Sequence, residues 1–136
     1  MNIIIDTHIF LWALSNPSRL NKHHLKELET PANTIWLSSV SVTEIMIKAS
    51  IGKLICDFDV VEIAEKSGFE LLDYSARDAL SLKELPFHHK DPFDRMLISQ
   101  CLSRGYRIMS EDSKFLSYEC KLVSYVCLPS QAQAKK

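Results

Sequence analysis

Four carboxylates in this sequence occupy comparable points of four separate segments. Asp6 ends the apolar run Asn2-Ile3-Ile4-Ile5, and Glu44 falls in the first turn of a helical stretch that follows the run 34–38. Asp94 falls in the first turn of a helix opened by Asp91-Pro92, and Asp112 comes two residues after the apolar run that ends at Ser110. Acids crowded into one cleft repel each other and rise in pKa unless a cation joins them. A donor set of oxygens alone suits a hard cation such as Mg²⁺ or Mn²⁺, which keeps waters and phosphate oxygens as further ligands. The chemistry implied is phosphoryl transfer to water, with metal at the leaving oxygen and no protein nucleophile. Ser38 and Ser39 have no convincing His partner for a nucleophilic arrangement.

Three of the acids also have a local explanation. Ser41-Val42-Thr43-Glu44 has the form of a capping box, in which Glu44 bonds back to the Ser41 amide. Asp91 suits an N-cap before Pro92 at the first helical position, and the helix dipole favours Asp94 there. Asp112 could cap a short helix of its own. Asp6 alone has no capping explanation. An aspartyl-phosphate mechanism at Asp6 wants a second acid two residues on, where His8 stands. A non-catalytic metal- or protein-binding module is the alternative that the acid set disfavours.

The elements that must position these acids follow from periodicity. A run apolar on both faces, such as 2–5, predicts a central parallel strand. Ile9, Phe10, Ala13 and Leu14 predict a helix from Thr7 that Asn16-Pro17 breaks. Further helices are predicted over 20–28, 41–51 with Gly52 just past the end, 60–66 up to Gly68, 75–85 up to Pro86, and 92–104 closed by Gly105. Strands are predicted over 34–38, 69–72 and 107–110, with a helical turn at 112–116 and an edge strand at 122–123. Strands alternating with helices mean an α/β, three-layer domain: a central parallel sheet of four to five short strands flanked by helices. One domain over 1–128 and a flexible tail over 129–136 fit the length of 136 residues. Sites in such folds gather outside the carboxyl ends of the strands, where the four acids fall.

Composition narrows the classes further. With 46% hydrophobic and 24% charged residues the chain reads as an ordinary globular domain. A net charge of −1 gives no global basic field, so contact with nucleic acid would need a local patch or bound metal. Cysteines 56, 101, 120 and 127 form no CxxC pair and read as free thiols in a reducing cytosol. The opening apolar run is too short for a signal peptide and no run is long enough to span a membrane, so a cytoplasmic protein is expected.

The residues also resemble a known family. The opening IIIDTHIFLWAL, the stretch LSSVSVTEIMIKASIGKL and the segment HHKDPFDRMLISQCLSRGYRIMSEDSKF are similar to PIN-domain proteins, in particular the VapC-like toxins. The match runs over about the first 125 residues in order. The resemblance implies that Asp6, Glu44, Asp94 and Asp112 are the catalytic, metal-holding acids, with Ser110 where the family carries Thr or Ser beside the fourth. Counting back from Gly105 favours Asp94 over Asp91 as the third acid. The family further implies Mg²⁺- or Mn²⁺-dependent RNA cleavage, a small antitoxin that blocks the site, and a homodimer. Ser110 and the cations and imidazoles nearest the acids in sequence, His8, Lys48, Lys53, His89, Lys90 and Arg95, are then the expected RNA contacts. Lys48 could instead pair with Glu44 four residues earlier. Exposed apolar surface on the early helices is the expected seat of the antitoxin. His23-His24 and His88-His89 read as surface loop residues, and Trp12 and Trp36 as core.

Overall fold

The three isoleucines of the opening run divide between the two faces of a sheet, and that division organises the molecule. The computed structural model describes residues 1–87 and 90–112. Its strands are β1 (Asn2–Ile5), β2 (Thr34–Ser38), β3 (Glu70–Leu72) and β4 (Arg107–Met109). All neighbours pair parallel, in the order β3-β2-β1-β4. Side chains of successive strand residues point to opposite faces. Ile3 and Ile5 therefore enter one core with Phe10, Leu37 and Ile45, while Ile4 enters the other with Leu97, Ile98 and Ile108. All three isoleucines are fully buried, as an interior parallel strand requires.

Among the described residues six helices cover the two faces: α1 (Thr7–Ser15), α2 (Lys22–Glu29), α3 (Ser39–Ser50), α4 (Val60–Lys66), α5 (Ala76–Ala79) and α6 (Pro92–Arg104). The chain leaves β1 towards β2 and β3 on one side and returns with β4 on the other. The gap between the carboxyl ends of β1 and β4 is thus the point where strand order reverses, the usual place for a site in a parallel sheet. The amide of Asp6 donates to the Met109 carbonyl at 3.1 Å across that point.

The three-layer α/β fold predicted from the sequence is the observed one, with differences in where single elements begin and end. α3 begins at Ser39, because Ser38 is the cap and its hydroxyl accepts from the Val40 amide at 3.1 Å. Glu44 therefore lies in the second turn, and no capping box to Ser41 forms. The helix predicted over 75–85 is the four-residue α5 followed by a 3-10 turn (Leu80–Glu84). Gly52 closes α3 at φ 77, and the Gly52 and Lys53 amides donate back to the Ala49 and Lys48 carbonyls at 3.2 and 2.9 Å. That hydrogen-bond pair is a Schellman turn, and it folds Lys53 back against the end of α3. The helical turn at 112–116 and the strand at 122–123 lie outside the described residues. So do Cys120 and Cys127, while Cys56 is a half-buried free thiol and Cys101 is buried. Among the described residues no helix is long and apolar enough to cross a membrane.

α5 is tied to α6 by a half-buried ion pair. Arg104 donates to both Asp78 oxygens at 3.1 and 3.2 Å, and Gln100 and the Ser75 amide donate at 3.0 and 2.9 Å. Burial pushes the Asp78 carboxyl up, and these donors overcome it, holding the group well below the usual carboxylate range. Asp78→Asn is expected to cost about 2–3 kcal/mol in urea unfolding, the penalty for breaking a half-buried pair. A carboxyl depressed in the folded state stabilises above its unfolded pKa of about 4 and stops doing so on acidification. Wild type should thus lose stability more steeply than Asp78→Asn below about pH 4. Parallel acid profiles would rule the pair out as the cause.

Candidate active site

Each acid is set by the element that follows its strand. Asp6 is the N-cap of α1, with Oδ1 accepting from the Ile9 amide at 2.8 Å. The sequence predicts no capping role for Asp6, and the structure differs: the chain turns from β1 into α1 within one residue, so the acid that ends the strand also starts the helix. Only 4% of Asp6 is exposed. Burial raises its carboxyl, opposed by hydrogen bonds from Ser110 and Ile9 and reinforced by the charges of Asp112 and Glu44, to about 6.

Glu44 is 2% exposed on the inner side of α3. The Thr7 hydroxyl donates to its Oε1 at 2.6 Å and shares a 3.0 Å hydrogen bond with the Ser41 hydroxyl. Lys48 donates to Oε2 at 2.7 Å, so the i,i+4 pairing weighed in the sequence is realised. The bond to Glu44 raises the Lys48 ammonium, burial opposes it, and the charges of Glu44, Asp91 and Asp94 add to the rise. Lys48 therefore lies in the field of acids from both α3 and the start of α6.

Asp91 caps α6 as expected, Oδ1 accepting from the Phe93 and Asp94 amides at 2.9 and 3.1 Å. Asp94 follows in the first turn, half-buried. Asp112 is half-buried after β4, its amide donating to the Ser110 hydroxyl at 3.0 Å. Ser110, an expected RNA contact, is fully buried, and its hydroxyl joins Asp6 to the Asp112 amide. Its place is that of a positioning residue between two acids.

Arg95 departs most from expectation. It is 8% exposed, donates to the Leu85 and Pro86 carbonyls at 3.0 and 2.8 Å, and lies 4.0 Å over the Phe87 ring. An RNA-contacting cation would face solvent; this one clamps the segment before α6. His8, Lys53 and Lys90 are exposed, whereas His88 and His89 lie outside the described residues. His24 is fully buried rather than in a surface loop, donating from Nδ1 to Glu111 Oε2 at 3.0 Å. The same oxygen accepts from the Asn21 amide at 2.9 Å, so the residue beside Asp112 is fastened to the start of α2. Thr7, Ser41 and His24 were missed as supports of the site.

Among the described residues, no three Asp, Glu, His or Cys side chains close into a ready metal cage. Asp6, Glu44 and Asp112 are in electrostatic contact, and Asp94 joins them through the field at Lys48. This donor set fits Mg²⁺ or Mn²⁺, because Mg²⁺ takes one or two carboxylates and keeps its waters. Asp6, raised first by burial and further by the charges of Asp112 and Glu44, is also the group a divalent cation would relieve.

A parallel sheet with acids at the carboxyl ends of its two switch-point strands defines an α/β domain with its site on the strand ends. The chain belongs to the PIN-domain family, whose model matches residues 3–119. No curated protein matches it in sequence. Its fold is similar to that of VapBC2 from Rickettsia felis, bound to a DNA fragment from the promoter. That likeness has a TM-score of 0.68 and 18% identity over 90% of this chain and 96% of that one. DNA-bound VapBC from Salmonella typhimurium gives a TM-score of 0.67 and 17% identity over 91% and 97%. VapBC-5 from Mycobacterium tuberculosis, of the VapBC family of toxin-antitoxin systems, gives 0.54 and 13% over 85% and 89%.

Proposed function

We propose that this chain is a VapC-type toxin, a Mg²⁺- or Mn²⁺-dependent endoribonuclease held in check by a cognate antitoxin. The observation that carries the reading is the buried Asp6 carboxyl, raised by burial and by Asp112 and Glu44, at the switch point of a PIN fold. Asp6 and Asp94 would hold the ion, with Glu44 and Asp112 in support. When bound, the ion would supply charge stabilisation for the scissile phosphate and acidify an attacking water. The chain's own residues do the positioning. Ile9 and Ser110 fix Asp6, Thr7 and Lys48 fix both Glu44 oxygens, and Ser110 fixes the Asp112 backbone.

Likeness to VapBC assemblies supports an antitoxin partner, and an apolar groove of about 430 Å³ beside α1 fits one. Ile55 and Phe58, on its rim, are 88% and 38% exposed. The test compares RNA degradation in Mg²⁺, in EDTA and by Asp94→Asn. Degradation in the first sample alone is expected; three equal samples would refute the nuclease. Expression should arrest growth for wild type and not for Asp6→Ala, and arrest by both would remove the toxin reading.

A further inference from the structure

The groove beside Glu44 has a charge opposite to that of the chain. It measures about 460 Å³, within the range of small-ligand sites, and runs from Thr7 along α1 to Lys53. Among its described lining residues the ionisable ones are His8, Arg19, Lys48 and Lys53, and none is acidic, although the chain's net charge is −1. It opens at Thr7 and Lys48, the two side chains that hold Glu44, so it is continuous with the carboxylate site.

Its wall is aromatic as well as basic. The Arg19 guanidinium lies 4.2 Å over the Trp12 ring, whose centroid is 5.8 Å from that of His8. Trp12 is half-buried, packed against the core of Ile3, Ile5 and Phe10 while also lining the groove. Arg19 and Lys53 are exposed with no ion pair among the described residues. A solvent-exposed guanidinium on a half-buried indole contributes little to folding, about 0.5–1 kcal/mol. It does keep the guanidinium at the indole, on the wall of the groove. Cations that track a backbone beside an aromatic face are how proteins hold single strands: phosphates meet the charges and unpaired bases stack. A duplex offers no free base face, and an acidic peptide has no use for the indole.

We propose that this groove seats an unpaired nucleotide of single-stranded RNA next to the scissile phosphate, its base stacked on the Trp12–Arg19 pair and its phosphates on Arg19 and Lys53. The proposal rests on the ribonuclease reading, and its test runs without cleavage so that the two fail separately. Binding of a short fluorescein-labelled single-stranded RNA is followed by anisotropy in EDTA. Arg19→Gln and Lys53→Gln should each weaken it about fivefold and flatten the salt slope by about 0.7. Trp12→Leu should weaken it about tenfold, the usual worth of one stacked base. With Trp36→Phe leaving Trp12 as the sole indole, RNA should quench its fluorescence and a polyglutamate peptide of equal length should not. Arg19 and Lys53 are exposed, so their variants keep the test open if Trp12→Leu fails to fold. Unchanged binding in those two variants overturns the proposal, as does equally tight binding of duplex RNA or polyglutamate. If RNA binds as described but is not cut in Mg²⁺, the nuclease reading fails and the groove stands. If RNA is cut yet binding ignores the substitutions, the groove fails alone.

Discussion

Asp6→Asn is expected to abolish RNA cleavage while making the metal-free protein more stable. Loss of a carboxylate that would hold the ion removes several kcal/mol of transition-state stabilisation, about 10³-fold in rate. Stability moves the other way because the folded chain holds the Asp6 carboxyl at about 6, above its ordinary 3.8. That rise amounts to roughly 3 kcal/mol against folding at neutral pH. Asparagine keeps an oxygen for the Ile9 amide, so the helix cap survives and the buried charge does not. A raised folded pKa gives stability that is fully present below the unfolded value and lost as pH rises through the folded one. Metal-free wild type should therefore lose stability between about pH 4 and 6, and Asp6→Asn should lack that fall. Thermal melts in EDTA at neutral pH should place the variant about 5–10 °C higher. Mg²⁺ should raise the wild-type midpoint alone. A variant that melts below wild type in EDTA would show that Asp6 is not the strained group.

Legibility in the sequence followed the range of the forces involved. The Ile3-Ile4-Ile5 run disclosed a central strand because a parallel strand needs apolar residues on both faces, and Ile4 does enter a different core from its neighbours. Gly52 disclosed the end of α3 because a left-handed residue there is chiefly a glycine's role. The start of α3 was blurred: Ser38 and Ser41 are both good caps, and β2 ending at Ser38 decided between them. Asp94 and Arg95 are adjacent in sequence, but one residue of helix turns a side chain by about 100°. Arg95 consequently faces the segment before α6 rather than solvent. His24 and Glu111 are 87 positions apart, and no local pattern announces a contact of that kind. Trp12 has helical spacing and packs against the core, yet part of its ring stays open to the groove beside Arg19. What the sequence hid was chiefly the second layer that holds the acids in place.

That second layer gives Arg95→Ala its expected effect. Arg95 donates to the Leu85 and Pro86 carbonyls and covers the Phe87 ring. Leu85 is itself 7% exposed in the core under α6. Removing the guanidinium leaves carbonyls without these donors and strips packing, together about 3 kcal/mol in urea unfolding. The segment it clamps leads into Asp91, the cap of α6, and so into Asp94. Loss of the clamp should let the start of α6 fray and weaken RNA cleavage through Asp94's placement rather than through lost contact with RNA. A phosphate-binding arginine predicts another signature: unchanged stability, weaker RNA binding and a salt slope shallower by about 0.7. Arg95→Lys separates the two. Lysine keeps the charge but cannot bridge two carbonyls with a planar fork, so the clamp predicts a loss near that of alanine. Full retention of stability and activity in Arg95→Lys would return Arg95 to the RNA surface.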